Sequence, residues 1–170
     1  LLPLPLTCDP TRAVAARLSP PNERPLVVYG TVLPWLGSSW RGISAAQGAA
    51  ATAALDGQLT DWLSLQAGHP DCDFVLAGDL NQDLAPRHYY GSRANRAALS
   101  AALADASLAC LTGGTDDPVH RQTHGKRACI DHICVSSRLA HQASAAWPLA
   151  DAPVASLSDH FGVVVDLRGT

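Results

Sequence analysis

Several features that are common in proteins are missing from this sequence. It contains no methionine, so we expect a chain that was processed or taken from a longer protein. No apolar run approaches the roughly 20 residues needed to cross a bilayer. The opening segment LLPLPL is too short, and too interrupted by proline, to be the core of a signal peptide. We therefore expect a cytoplasmic monomer without a membrane span.

Charge and cysteine content exclude further classes of protein. The net charge is −3, which excludes a strongly basic nucleic-acid coat protein but leaves room for a local basic groove. A hydrophobic content of 47% is typical of a globular chain. The five cysteines are odd in number and contain no Cys-x-x-Cys pair. This favours free thiols in a reducing compartment over a disulfide or zinc framework.

Apolar periodicity predicts alternating strands and helices in one domain spanning residues 1–170. Strands are predicted at 12–18, 26–33, 74–80, 129–136 and 162–167, with a further strand running into a turn within 109–117. Helices are predicted at 44–67 and 93–106. The apolar faces expected for them are Leu55, Leu59, Trp62 and Leu63 in the first, and Leu99, Ala102, Leu103 and Ala106 in the second. This order indicates an α/β fold with helices packed on a sheet.

Polar side chains follow or begin three of the predicted strands. The stretch FVLAGDLNQDL places Asp79 and Asn81 after an apolar run, Asp131 begins another strand, and Asp159 and His160 precede the last one. An unpaired buried carboxylate is costly, and coordination of Mg²⁺ is one reason for its presence. Turn chemistry is the alternative for Asp79 and Asn81, strand-end or turn capping for the other aspartates, and a core histidine for His160.

Taken in order, VLAGDLNQDL, CIDHICVS and SLSDHFGVVVDL resemble three motifs of the endonuclease/exonuclease/phosphatase superfamily. The motifs are Gly-Asp-x-Asn, Ile-Asp-[Tyr/His]-Ile and Ser-Asp-His, and LVVYGTVLPW looks like the strand before them. The resemblance implies a four-layer α/β sandwich of the deoxyribonuclease I-like type, of which this chain would be the C-terminal two-thirds. It also implies hydrolysis of phosphate esters with Mg²⁺ or Mn²⁺.

The resemblance implies a role for each of five residues. Asp79 resembles the group that orients or deprotonates the attacking water and contacts the metal, and Asn81 the amide that holds the phosphate and a metal. Asp159 resembles a metal ligand. His160 resembles the histidine at the scissile phosphate, and Asp131 the carboxylate that holds its imidazole and favours the charged form.

Two departures from the family pattern weaken the catalytic expectation. The resemblance implies an asparagine and then a glutamate metal ligand on early strands, whereas residues 1–25 contain a single glutamate, Glu23, in a proline-rich turn. We therefore expect a domain that is incomplete at its N-terminus and weak or inactive as an enzyme. Many members also carry a histidine where this chain has Val32. A binding module that has lost its chemistry is thus the alternative to a phosphoesterase.

Substrate preference has only weak signals in the sequence. Loop aromatics (Trp35, Trp40, Tyr89 and Tyr90) and the basic stretch at 120–127 are compatible with a phosphodiester backbone or an inositol phosphate. Loop anchoring and a solvated loop are the alternatives. A nuclease is slightly favoured over a lipid or inositol phosphatase, so nucleic acid is the expected partner.

Overall fold

The computed structural model describes residues 1–148 and 158–167 of the chain, and its elements alternate between strands and helices. The strands are β1 Leu2–Leu4, β2 Ala13–Leu18, β3 Leu26–Val32, β4 Asp73–Asp79, β5 Leu108–Cys110, β6 Asp131–Ser136, β7 Ala143–Ala146 and β8 Val164–Leu167. The helices are α1 Ala49–Gly68, α2 Arg93–Asp105, α3 Pro118–Gln122 and α4 Ser137–Ala140. The α/β fold predicted from the sequence is confirmed.

Six strands form one mixed sheet in the order β1-β2-β3-β4-β6-β5, and β7 and β8 form a separate antiparallel pair. β3 and β4 are parallel, whereas every other neighbouring pair in the large sheet is antiparallel. The long helix α1 connects β3 to β4, which is the crossover that parallel strands require. This connection places the ends of β3 and β4, and the start of β6, at one edge of the sheet.

The hydrophobic core lies between one face of this sheet and the helices α1 and α2. Tyr29, Phe74 and Leu76 from the strands pack with Trp62 of α1 and Leu99 of α2. All four residues predicted to form the buried face of the second helix are buried. In the first helix Leu55 and Trp62 are buried and Leu59 is partly buried, but Leu63 is 43% exposed.

The first helix begins later than predicted, at Ala49 rather than residue 44. Gly48 precedes it with a φ of 76°, a left-handed conformation that cannot continue a helix. Asn95 of α2 donates a hydrogen bond to the carbonyl of Gly48 at 3.1 Å. The tertiary contact with α2 therefore fixes the start of α1.

Four short elements were not predicted from the sequence: β1, α3, α4 and β7. β1 contains prolines but lies at the edge of the sheet, where a missing backbone N–H is tolerated. β7 is mostly alanine, a weak strand former, and is held by pairing with β8. Local propensity is overridden in both cases by pairing with another strand.

The other face of the large sheet carries small and apolar residues, several of which are accessible. Val14 is 69% and Val32 45% exposed, so this face presents accessible apolar side chains. All five cysteines are free thiols, as predicted. In the part of the chain that the structure describes, no helix combines the length and apolar character that a bilayer crossing requires.

Candidate active site

The candidate site lies at one end of the large sheet, where the central strands β3 and β4 end and β6 begins. Asp79 pairs with Asp131 across β4 and β6, and with Val32 across β3 and β4. Residues directly opposite in a sheet share one face. The sequence-predicted carboxylates of Asp79 and Asp131 are thus brought together by strand register alone.

The backbone at the end of β4 is shaped by two unusual residues. Gly78 has a φ of 152°, and a Cβ atom there would lie 1.8 Å from the carbonyl oxygen of Thr31. Asn81 has a φ of 51°, in the left-handed region where asparagine is strongly enriched. Gly78 thus allows the close approach of β4 to β3, and Asn81 turns the chain after Asp79.

Asn81 bonds to Asp79 through both its backbone and its side chain. Its backbone N–H donates to Asp79 Oδ1 at 2.9 Å, and its Nδ2 donates to Asp79 Oδ2 at 2.9 Å. Nδ2 also donates to the carbonyl of Leu33 at 2.9 Å. The turn chemistry considered as an alternative is therefore present, and it fixes the orientation of the Asp79 carboxylate.

His160 lies against Asp131, as predicted. Its Nδ1 is 2.8 Å from Asp131 Oδ2, and its backbone N–H donates to the hydroxyl of Ser158 at 3.0 Å. The bond to Asp131 orients the ring and leaves Nε2 for another partner. The histidine side chain is 42% exposed, so a substrate can reach it.

The proximity of these charged groups, together with burial, shifts the pKa values of Asp79 and His160. Burial, reinforced by the nearby Asp131 carboxylate, raises the pKa of Asp79, although its bonds to Asn81 and the nearby His160 oppose the shift. The hydrogen bond to Asp131 raises the pKa of His160, and the charges of Asp131, Asp79 and Asp159 act in the same direction. The cluster therefore concentrates negative charge and favours an imidazolium.

The donor atoms present fit a divalent cation. Oxygens of Asp79 and Asp131 and a ring nitrogen of His160 all lie within 4.8 Å of one another. The hydrogen bonds described for the Asn81 side chain use its nitrogen, so its amide oxygen remains suited to a hard cation. Asp159 is exposed and close enough to act on His160, but it is outside this three-residue group.

Asp83, two residues beyond Asn81, holds the local fold together. It is fully buried and accepts hydrogen bonds from the backbone of Ala85, Tyr89 and Tyr90, at 3.2, 2.9 and 2.8 Å. Arg96 Nη1 of α2 lies 3.1 Å from its Oδ1. Asp83 therefore folds the loop after Asn81 around one carboxylate and joins it to α2.

His132 supports the site from the buried face; the sequence motif includes it beside Asp131 but gave it no role. Its Nε2 donates to the carbonyl of Gln82 at 2.8 Å, and its Nδ1 lies 3.1 Å from the hydroxyl of Thr112. This side chain joins β6 to the loop that carries Asn81. Its position next to Asp131 in the strand was the one available signal.

The basic stretch at 120–127 lies next to the site. The guanidinium of Arg127 is 5.7 Å from the ring centroid of Phe161, the neighbour of His160. Lys126 and Arg121 are exposed in the same stretch. Among the loop aromatics, Trp40 is anchored by a 2.5 Å hydrogen bond to Asp9, whereas Trp35 is 56% exposed.

Glu23 does not contribute to the candidate site. It lies in the exposed turn before β3, at the end of the sheet where Leu26 pairs with Asp73. The length of β3 separates that end from Asp79 by about 20 Å. The expectation that Glu23 does not replace the family's glutamate ligand agrees with this placement.

The Gly78→Ala variant is expected to lose about 3 kcal/mol or more of stability, because a Cβ atom would collide with backbone and the φ disfavours any side chain. Urea denaturation would measure the loss. Gly42→Ala is the matched control: its φ is 79° but nothing lies within 4 Å, so it reports conformational strain alone. Equal losses at both positions would contradict the proposed collision.

A protein-family model and several solved structures agree with this architecture. The family model described as "Endonuclease/Exonuclease/phosphatase family" matches residues 4–160. None of the curated protein sequences matches the chain. Among solved structures, the 3'-5' exonuclease NExo from Neisseria meningitidis is 19% identical with a TM-score of 0.65, covering 96% of this chain and 69% of its own.

Two further structures show the same fold. The Neisseria 3' phosphatase NExo, in a variant bound to product DNA hairpin, is 19% identical with a TM-score of 0.64, over 94% of this chain and 66% of its own. AP endonuclease LMAP from Leishmania major is 18% identical with a TM-score of 0.55, over 92% and 55%. With the fold, the strand-end motifs and the family match in agreement, the chain belongs to the endonuclease/exonuclease/phosphatase family.

Proposed function

We propose that this chain is a metal-dependent phosphoesterase whose favoured substrate is a phosphate ester in nucleic acid. The observation that carries the proposal is the cluster of Asp79, Asn81, Asp131 and His160, joined by hydrogen bonds at one sheet edge. The neighbouring basic stretch supports a polyanionic substrate. The DNA-bound Neisseria phosphatase, which has the same fold, also supports it.

Each side chain has a role consistent with its contacts. Asp79, oriented by Asn81, positions and deprotonates the attacking water. His160, held by Asp131 through Nδ1, donates a hydrogen bond from Nε2 to a phosphate oxygen as negative charge develops there. Asn81 holds Asp79 through its nitrogen and offers its amide oxygen to a cation or, in another orientation, its nitrogen to the phosphate.

Mg²⁺ or Mn²⁺ would be held by Asp79, Asn81 and Asp159, with Asp131 close by. When bound, it supplies charge neutralisation at the phosphate. The protein's own part is positioning: the fixed turn at Asn81 and the Asp131–His160 bond remove conformational freedom before substrate binds.

The alternative is a module that binds phosphate esters without turning them over. Val32 favours it, because this valine lies opposite Asp79 in the sheet and can neither transfer a proton nor bond to a phosphate. The position of Glu23 at the far end of the sheet also favours slow turnover. We therefore expect a low rate from residues 1–170.

Hydrolysis of bis-p-nitrophenyl phosphate and of a DNA hairpin with a 3'-phosphate would test the proposal. We expect slow product formation that requires Mg²⁺ or Mn²⁺, stops with EDTA, and is faster on the hairpin than on an inositol phosphate. The exposed His141→Ala variant is the control and should match the unmodified chain. Saturable hairpin binding without product, at any metal concentration, would contradict the enzyme and support the binding module.

A further inference from the structure

A second cluster of ligand-type side chains lies at the opposite end of β4. His69, Asp71 and Cys72, in the connection between α1 and β4, each present one donor atom within 4.8 Å of the other two. β4 extends from Asp73 to Asp79, a length of about 20 Å at the usual rise of a strand. The second cluster is therefore separate from the candidate active site.

A tight turn builds the cluster. The backbone N–H of Cys72 donates to the carbonyl of His69 at 3.0 Å, and that of His69 donates to Leu65 in the last turn of α1 at 3.0 Å. Pro70 occupies the second position of the turn, where its fixed φ is favourable. Because helix and strand hold both ends, binding a ligand would cost little additional ordering of the backbone.

The donor set is the one that zinc prefers. An imidazole nitrogen, a carboxylate oxygen and a cysteine sulfur are all common Zn²⁺ ligands, whereas Mg²⁺ selects oxygen. Tetrahedral coordination at ordinary zinc bond lengths separates neighbouring donor atoms by about 3.3–3.7 Å. Cys72 Sγ lies 3.6 Å from Asp71 Oδ1, within that interval.

The end of α1 adds a favourable field. This helix has 20 residues and no basic side chain in its last turn. The negative end of its macrodipole therefore faces the turn that carries His69, and a cation bound there would be stabilised.

Arg17 occupies the position of a competing cation. Its Nη2 donates to Asp71 Oδ2 at 2.8 Å and its Nε to Cys72 Sγ at 3.3 Å. The Arg17 side chain is only partly buried, so it can swing away into solvent. A metal ion would replace the guanidinium at the Asp71 carboxylate and the Cys72 sulfur.

We propose that His69, Asp71 and Cys72 form a second metal site, selective for Zn²⁺ and other thiophilic divalent ions over Mg²⁺. Three protein ligands leave a fourth position for water or an added ligand. His69 and Cys72 also line a cavity of about 280 Å³ together with Gln66, Ser107 and Ser136. An ion in this turn would join the end of α1 to the start of β4.

Titration of the metal-free protein with Co²⁺ would test the site, because a cysteine ligand gives a thiolate-to-cobalt charge-transfer band that an oxygen and nitrogen site lacks. We expect this band in the unmodified chain, its displacement by Zn²⁺ and its persistence in excess Mg²⁺. Cys72→Ser should abolish it. His69→Ala and Asp71→Asn should each weaken Co²⁺ binding by about tenfold or more.

Control variants separate this site from the candidate active site. Asp79→Asn should keep the band, and His141→Ala should bind Co²⁺ as the unmodified chain does. Arg17→Ala should tighten binding by up to about fivefold, since removing the exposed ion pair with Asp71 frees the carboxylate and the sulfur for the metal. A band that survives Cys72→Ser, or no band in the unmodified chain, would overturn the proposal.

Alkylation of the unmodified protein gives a second test that needs no variant. Zn²⁺ should protect the peptide containing Cys72 from iodoacetamide, as measured by mass spectrometry, whereas Mg²⁺ should not. Equal alkylation of Cys72 with and without Zn²⁺ would also overturn the proposal.

Discussion

Alanine in place of His160 is expected to lower turnover of a phosphate ester by about 100- to 1,000-fold relative to the unmodified chain. The imidazole is held by Asp131 at 2.8 Å and presents its other nitrogen to the substrate. Removing it takes away a charged donor at the point where the phosphate gains negative charge. Initial rates on bis-p-nitrophenyl phosphate, with circular dichroism to confirm folding, would measure the loss.

The partner of the histidine should show a smaller effect. Asp131→Asn keeps a side chain of the same size that can still accept a bond from Nδ1, but it no longer favours the imidazolium. The double variant should lose less than the product of the two single losses, because the pair acts as one unit. If His160→Ala kept the turnover of the unmodified chain, this histidine would be a surface residue without a role.

Substitution of Asp159 should distinguish the binding of the metal from the role of His160 at the phosphate. Asp159→Ala is expected to raise the Mg²⁺ concentration for half-maximal rate, with a smaller change in the rate at saturating metal. His160→Ala should instead lower the rate at saturating metal, with a smaller change in the Mg²⁺ concentration for half-maximal rate. The two profiles against Mg²⁺ would therefore distinguish a cation ligand from a phosphate donor.

The convergence of Asp79, Asn81, Asp131 and His160 could be predicted because motif order and strand chemistry both point to it. Strands with apolar interiors and polar ends place their polar residues at sheet edges. The register that pairs Asp79 with Asp131 then follows from burying Leu76 and Cys134 on the helix-covered face.

Other features could not be predicted because their causes are distant in sequence. α1 begins at Ala49 because Gly48 turns and is bonded to Asn95, 47 residues away. Leu63 is exposed, whereas the polar Gln58 and Asp61 are buried. Gln58 accepts a hydrogen bond from Thr31 of β3, and Asp61 accepts from Thr7 of the N-terminal segment. Periodicity reports which positions share a face, but not which polar residues find partners in distant segments.

The second cluster, in the turn at 69–72, could not be predicted from the sequence for the same reason. Its sequence, HPDC, reads as a break between a helix and a strand. Only the tertiary fold places Arg17 of β2 against Asp71 and Cys72 and reveals three metal-ligand types in one place. A histidine and a cysteine three residues apart carry little information until the turn between them is known to close.

The two aspartates of GDLNQD look alike in the sequence, but their substitution is expected to have opposite effects. Asp79→Asn should lower turnover by about 1,000-fold or more, since it removes the base and a cation ligand. It should leave Tm unchanged or higher, because burial and the neighbouring Asp131 raise the pKa of Asp79. A raised pKa means that its ionised form is less stable in the folded chain than in the unfolded one.

Asp83→Asn is the matched control, with the reverse outcome. Its carboxylate is fully buried and bonded to Arg96 and to three backbone N–H groups. Neutralising it leaves the Arg96 guanidinium without its counter-charge, at a cost of about 3 kcal/mol, or a decrease in Tm of roughly 6–12 °C. Turnover at a temperature where the variant remains folded should fall far less than in Asp79→Asn.

Thermal denaturation and rate measurements on both variants would decide between the two interpretations of Asp79. Suppose that Asp79→Asn lowered Tm as much as Asp83→Asn does, and lowered turnover no more than Asp83→Asn does. Asp79 would then be a turn residue only, bonded to Asn81 for structural reasons. If it abolished turnover while the fold kept its stability, the buried carboxylate would be retained for chemistry. The second result is expected, because the fold gains nothing from holding two carboxylates opposite each other at the end of a strand.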